Sequence, residues 1–379
     1  MELLFWISLA GILYPYLGYP LLLRLLHPLI GRPVARAPYT PDLTLVVSAY
    51  NEEANIRQKL VNTLALDYPR ERLEIIAASD ASTDATDAII AEFAAQGVAH
   101  LRLDERGGKV ACQNAAIARA RGEILVFSDA RIMLSRDSLL AMMENFADPT
   151  VGCVSCQDLI VDEHGAPDAT AGEGLYVRYE MALRDLEAKL GSLVGASGSF
   201  YAVRRRLAGI WEAGFERDFL TPLKVAAAGS RTVHEPRAIG AYRALAAAEA
   251  EFKRKVRTVM RGMAVLFHMR ELLNPLRHPR VAWQLWSHKV LRWTVPFFLV
   301  GLFVAAAALA GRHVIYALAL VAQAALYAFA LAAYLDRRLE AKSLFRIPLF
   351  FTNVNLSILV AWVRFLSGAR QVTWEPSRR

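Results

Sequence analysis

Apolar and polar positions divide the chain into two kinds of sequence. Residues 3–23, 293–311 and 314–335 carry no charge, and residues 347–363 are nearly as apolar, interrupted by Pro348, Asn353 and Asn355. Each stretch is close to the roughly 20 residues an α-helix needs to cross a bilayer. Between the first and second of them the pattern is mixed and punctuated by loops. Residues 43–48 form a short β-branched run, and from 53 to 65 apolar residues recur at helical spacing. The pattern then repeats, with strands at 73–79, 100–103 and 124–128 and helices at 85–93 and 109–120. Alternation of this kind predicts a parallel sheet with helices on both faces. In such sheets ligands bind beyond the carboxyl ends of the strands.

Composition sharpens the division. The 379 residues are 55% hydrophobic and 21% charged, and the mean hydropathy is +0.27. That is too apolar for an ordinary soluble domain, and too polar for a transporter. Cys112, Cys153 and Cys156 are too few for a disulfide framework. Cys153 and Cys156 have no second Cys or His pair nearby to complete a zinc site, so they read as small strand residues. The first apolar segment reads as an uncleaved anchor, because it lacks a basic leader and a small-residue cleavage site. Arg24, Arg32 and Arg36 follow it while only Glu2 precedes it, which places the globular part in the cytoplasm of a multi-pass inner-membrane protein. Arg312 and His313 then form an outer loop, and Arg337, Arg338, Lys342 and Arg346 an inner one. The fourth segment crosses, re-enters or packs against the other helices. The expected organisation is a membrane helix at 1–26, a globular domain at 42–245, a basic amphipathic segment at 246–293, membrane helices at 294–367 and a tail at 368–379 containing Trp374.

The net charge of +8 is not a nucleic-acid signature. Basic residues from Lys253 to Arg292 cluster just before the membrane, as expected of a segment resting on anionic lipid, with a few residues facing an anionic substrate.

The strand ends carry the chemistry. Tyr50, Asn51, Glu52 and Glu53 follow the first strand; Asp80, Ser82, Thr83 and Asp84 the second; Gly107, Gly108 and Lys109 the third; Asp129 and Arg131 the fourth. Carboxylates suit ribose hydroxyls, base N–H groups and a divalent cation, while a Gly-Gly-Lys turn opening a helix suits phosphate. Singly, Asp84 or Ser82 reads equally as a helix cap and the glycines as a turn. In succession they describe a nucleotide site.

The segments 47–53 (VSAYNEE), 79–86 (SDASTDAT), 107–109 (GGK) and 127–130 (FSDA) resemble the nucleotide-sugar half of family 2 glycosyltransferases. The likeness continues through 195–205 (GASGSFYAVRR), 219–229 (FLTPLKVAAAG) and 288–293 (HKVLRW), with flanking membrane helices as in the processive polysaccharide-synthase branch. It implies an α/β GT-A domain, Rossmann-like in its nucleotide-sugar half, joined to transmembrane helices. It also implies that Tyr50 and Glu52 contact the nucleoside, that Asp80 contacts uracil, and that Lys109, Asp129 and Arg131 belong to the donor site. Asp129 corresponds to the first carboxylate of a metal-binding Asp-x-Asp motif for Mg2+ or Mn2+; here Arg131 stands at the second. Asp218 corresponds to the base that deprotonates the acceptor hydroxyl, with a helix cap as its alternative. Arg217 stands where an acid is usual, and proximity would lower the pKa of Asp218. Gly198, Ser199, Arg292 and Trp293 fall on the acceptor and diphosphate side. Tyr176, Tyr179 and Glu180 share one face of a helix over 174–190, lining the acceptor side or packing.

The implied function is inverting transfer of a hexose or N-acetylhexosamine from a nucleotide-diphosphate sugar, UDP first, to a growing polysaccharide or lipid-linked glycan, with membrane lipid as a further partner. A single-sugar transferase acting on a polyprenyl-linked acceptor and an inactive scaffold or sensor subunit are the alternatives.

Overall fold

A computed structural model describes residues 1–162, 165–167, 172–211, 215–243 and 248–368. The tail with Trp374 lies outside them. Eight strands form one sheet: β1 (Leu43–Ala49), β2 (Leu73–Ser79), β3 (Val98–Arg102), β4 (Ile124–Asp129), β5 (Met133–Leu134), β6 (Val151–Val161), β7 (Phe200–Arg204) and β8 (Arg231–Arg243), in the order β3-β2-β1-β4-β7-β6-β8-β5. Every residue of β1 is buried, as expected of a strand covered on both faces. Leu43, Leu45 and Val47 pack on one side with Ile56 and Leu60, and Val46 on the other with Cys112, Ala116 and Phe127.

The expected parallel sheet is the larger part of the observed one, since β6 and β8 pair parallel to each other and run in the direction of β4. Strands β3, β2, β1 and β4 run parallel, whereas β7 is antiparallel to both β4 and β6, and β5 is antiparallel to β8. The chain reverses after the long Gly172–Leu190 helix, so β7 enters beside β4 from the opposite end. Strand order reverses between β1 and β4, and register aligns Ser48 with Asp129 and Ala49 with Ser79. That flush edge is where a doubly wound sheet opens a ligand crevice. Asn51 and Ala81, just beyond β1 and β2, adopt left-handed backbone conformations with φ of 50° and 53°. For alanine this costs about 1 kcal/mol; the turn it makes delivers Asp80 to the third strand end.

Four helices among the described residues are long and apolar enough to cross a membrane: Glu2–Ile30, Pro279–Leu309, Val314–Leu335 and Ser343–Leu366. The first contains a π-turn, Tyr14–Gly18, at Pro15. It packs closely on the second, where a Cβ on Gly11 would meet the Phe298 ring and one on Gly301 would lie 2.7 Å from Ser8 Oγ. Small residues permit this backbone approach. The helix carrying Arg292 and Trp293 begins at Pro279, well before the expected start of the membrane segment. The fourth apolar stretch is one helix of 24 residues despite its polar interruptions; Asn355 Nδ2 donates back to the Phe351 carbonyl at 2.9 Å.

Candidate active site

The donor side is built from the strand-end loops. Asp80, buried, accepts from the Gly107 N–H (2.8 Å) and from the Gly108 N–H through both oxygens (3.0 and 2.9 Å). The glycine turn therefore points its amides at a carboxylate of its own chain. Tyr50 lies 4.1 Å beneath the Arg106 guanidinium. Arg131 Nε donates to both oxygens of buried Glu52, at 2.7 and 2.8 Å. Arg131 thus neutralises a neighbouring loop. Asp129, at the end of β4, pairs with Lys109, whose ammonium also donates to the Gly198 carbonyl at 2.9 Å.

Lys59, unremarked in the sequence, lies under this loop with no exposed surface. Its Nζ donates to Ser128 Oγ (2.8 Å) and to the Ile132 carbonyl (2.6 Å), holding both ends of the segment that presents Asp129. Burial pushes the ammonium down to about 7, opposed by the Asp129 charge. A lysine within an otherwise apolar helix face was the available signal.

On the acceptor side, Asp158 accepts from Ser197 Oγ (2.7 Å) and Ser199 Oγ (2.8 Å) and pairs with Arg184 at 3.4 Å. It too was missed, although a carboxylate in the apolar run of β6 is unusual. The Asp158 contacts fix the loop that sets Gly198 against Asp218. Asp218 sits in the first turn of the Arg217–Ala227 helix, whose N-cap position is held by Glu216 without a side-chain capping bond. Capping is therefore not its role. Burial, and then the Glu216 carboxylate, raise Asp218 to about 6 against the opposing charges of Lys109, Arg184 and Lys289. The expected lowering by Arg217 is corrected here. Arg217 points away into the core, donating to Asn114 Oδ1 at 2.6 Å and lying 5.0 Å from the Trp211 ring.

A carboxylate raised to about 6 is protonated below that pH, so with Asp218 in the role of base that the family resemblance implies, kcat/KM is expected to climb through pH 6 and level off above 7, read from initial rates across pH 5–8; a flat profile contradicts that role. The same shift favours the protonated fold, so the fold's contribution from Asp218 is present at low pH and lost as pH rises through about 6. A Cβ on Gly198 would lie 2.8 Å from Asp218 Oδ2. Gly198→Ala is therefore expected to cut transfer about 100-fold by displacing the Asp218 carboxylate while the circular dichroism spectrum stays unchanged.

The membrane side is a buried charged chain. Arg292 pairs with Glu180, His288 Nε2 lies 3.3 Å from Glu180, His288 Nδ1 lies 2.8 Å from Glu187, and Tyr19 donates to Glu187 at 2.7 Å. Tyr16 and Tyr179 each lie 5.3 Å from the Arg292 guanidinium, whose Nε and Nη2 have no hydrogen-bond partner. The Trp293 ring meets Phe219 edge-on at 6.1 Å.

A cavity of about 500 Å3 unites these parts. It is lined by Glu52, Lys109, Asp129 and Arg131 of the donor loops, by Gly198, Ser199 and Asp218, and by Tyr176, Glu180, Arg292 and Trp293; Tyr50 and Asp80 stand outside it. Among the described residues no three metal-ligating side chains converge. The donor set is Asp129 alone, which fits a divalent cation held by one carboxylate together with substrate phosphates, the usual mode for Mg2+.

Comparison with known proteins agrees with this geometry. Residues 44–208 match the model of glycosyl transferase family 2. The chain is 33% identical over 187 residues to a beta-monoglucosyldiacylglycerol synthase of Synechocystis sp., covering 46% of this chain and 37% of that one. It is 33% identical over 115 residues to a poly-beta-1,6-N-acetyl-D-glucosamine synthase of Staphylococcus aureus, covering 30% and 27%. The chain thus spans well under half the length of these curated relatives. A mannosyltransferase from Pyrobaculum calidifontis, solved in complex with GDP-Man and Mn2+, superposes with a TM-score of 0.71 at 26% identity, over 96% of this chain and 99% of that one. Fold, strand-end loops and sequence converge on one assignment: residues 44–208 are a family 2 glycosyltransferase domain, within a GT-A fold that carries four candidate membrane-spanning helices.

Proposed function

We propose that the protein is a membrane-bound inverting glycosyltransferase that moves a hexose or N-acetylhexosamine from a nucleotide-diphosphate sugar to a glycan or lipid-linked acceptor at the cytoplasmic face of the inner membrane. The observation that carries this reading is the continuous path Asp129–Lys109–Gly198–Asp218 across one cavity. It joins a phosphate-side carboxylate and cation to a base with a raised pKa. Asp218 accepts the proton of the acceptor hydroxyl as its oxygen bonds to the anomeric carbon, and the nucleotide diphosphate leaves with the electron pair of the broken bond. Lys109 and the partnerless nitrogens of Arg292 supply positive charge where the diphosphate gains negative charge. A divalent cation bound at Asp129 would add to that neutralisation.

UDP was the nucleotide expected, on the Asp80 contact. Because the relative that matches end to end was solved with GDP-Man, GDP-mannose stands beside UDP-sugars in the test. Nucleotide release by the purified chain is to be measured with UDP-glucose, UDP-galactose, UDP-N-acetylglucosamine and GDP-mannose, with Mn2+ and with chelator. Release from one class of donor, enhanced by Mn2+, is expected. No release from any donor would overturn the reading and leave the inactive scaffold in its place. Release from GDP-mannose alone would rule out uracil recognition by Asp80.

A further inference from the structure

The cavity continues past Asp218 to the seam between the Ala248–His268 helix and the apolar Ser343–Leu366 helix. The first contributes Arg254, Arg257 and Arg261, and the second Val354, Ser357 and Ile358. Arg254, Arg257 and Arg261 recur at helical spacing and so form one stripe, while Val256 and Met260 turn to the other side and pack on Ala361 of the apolar helix. Lys255 Nζ sits 3.9 Å from the Phe350 ring centroid, placing a further cation at the apolar wall. At its inner end the stripe reaches the base: Arg261 Nη1 lies 3.3 Å from Glu216 Oε1, two residues before Asp218. From Arg261 to Arg254 is about 10 Å along the helix at 1.5 Å per residue, enough for one sugar ring between a hydroxyl at Asp218 and an anion at the outer end.

We propose that this seam is the acceptor site and that the acceptor is a membrane lipid carrying its sugar through a phosphate. The lipid tail lies along Val354 and Ile358, the phosphate on the Arg254–Arg257 end of the stripe, and the sugar hydroxyl at Asp218. A bilayer-resident acceptor reaches the site laterally because one wall of the seam, the Ser343–Leu366 helix, is long and apolar enough to cross the membrane. A cationic stripe running from base to seam complements a phosphate and gains nothing from an uncharged headgroup. This rests on the proposed function and narrows its acceptor class.

The test compares acceptors with the purified full chain and its working donor. A prenyl-phosphate-linked sugar is set against the same sugar on a neutral alkyl chain, and against diacylglycerol and a free oligosaccharide. The phosphate-linked acceptor is expected to be used with a kcat/KM about tenfold or more above its neutral match. The Arg254→Gln, Arg257→Gln double variant is expected to bring that ratio close to one. Equal use of charged and neutral acceptors by the wild type, or an unchanged ratio in the variant, overturns the proposal. The wild-type ratio stands alone if the variant does not fold. Nucleotide release without preference for the phosphate overturns only this inference, whereas absence of release overturns the reading beneath it.

Discussion

Asp218→Asn is expected to lower the transfer rate by about 10²–10⁴-fold while leaving donor binding within a few-fold of wild type. Asparagine keeps the size and the contact with Gly198 but cannot take a proton at any pH near neutrality. The loss should therefore fall on kcat, and the rise through pH 6 should vanish from whatever rate remains. Donor affinity is the control, since Asp129, Lys109 and Arg292 are untouched. A variant retaining more than a tenth of wild-type kcat would mean that another group takes the proton. The obvious rival, Glu216, is held by Arg261 at 3.3 Å.

The second large effect concerns stability. Glu180→Ala is expected to destabilise the fold by about 3–5 kcal/mol, because it leaves the buried Arg292 guanidinium without its carboxylate. Burial alone would raise the Glu180 carboxyl, but the charges of Arg292 and His288 outweigh it and hold the group well below the usual range. The sign follows: a depressed carboxylate stabilises the fold at all pH values above its unfolded pKa, and that stabilisation is lost only as pH falls into strong acid. The midpoint of thermal unfolding in detergent should drop markedly for Glu180→Ala at pH 7. In Glu180→Ala, Arg292→Met the loss should be partly recovered, since the unpaired charge is gone. A double variant no better than the single one would mean that the pair's charge is not what matters.

Much of the donor half could be read directly from residue order. Strand β2 falls on its expected residues, and the four strand ends converge because parallel strands in β-α-β succession place their carboxyl ends on one edge. Asp129 and Lys109 follow from that rule. What residue order hides is the direction of side chains and the identity of distant partners. Arg217 and Asp218 are neighbours in the chain and both border the cavity, yet helical geometry carries the Arg217 guanidinium on to Asn114 while Asp218 faces Gly198. Glu180 and Arg292 are 112 positions apart, and nothing local announces their pairing. Arg131 looked like a lost metal ligand; the structure accounts for it through Glu52, 79 positions away. The two arginines that suggested an inactive protein each have a polar partner in the fold, Glu52 for Arg131 and Asn114 for Arg217. The reversed strand β7, and the β6–β8 pair beside it, were hidden for a related reason, because β6, β7 and β8 are brought together across long intervening segments without a repeating pattern.

Direct displacement at one site served by one base inverts the anomeric centre, so the configuration of the first product reports on the mechanism. Product formed from an α-linked nucleotide sugar by the wild-type protein should be the β-anomer, observed by NMR of the first glycosidic bond formed, and should form at least 100-fold more slowly with Asp218→Asn. An α-anomeric product, or equal rates of product formation by the two proteins, would rule out single displacement with Asp218 as the base.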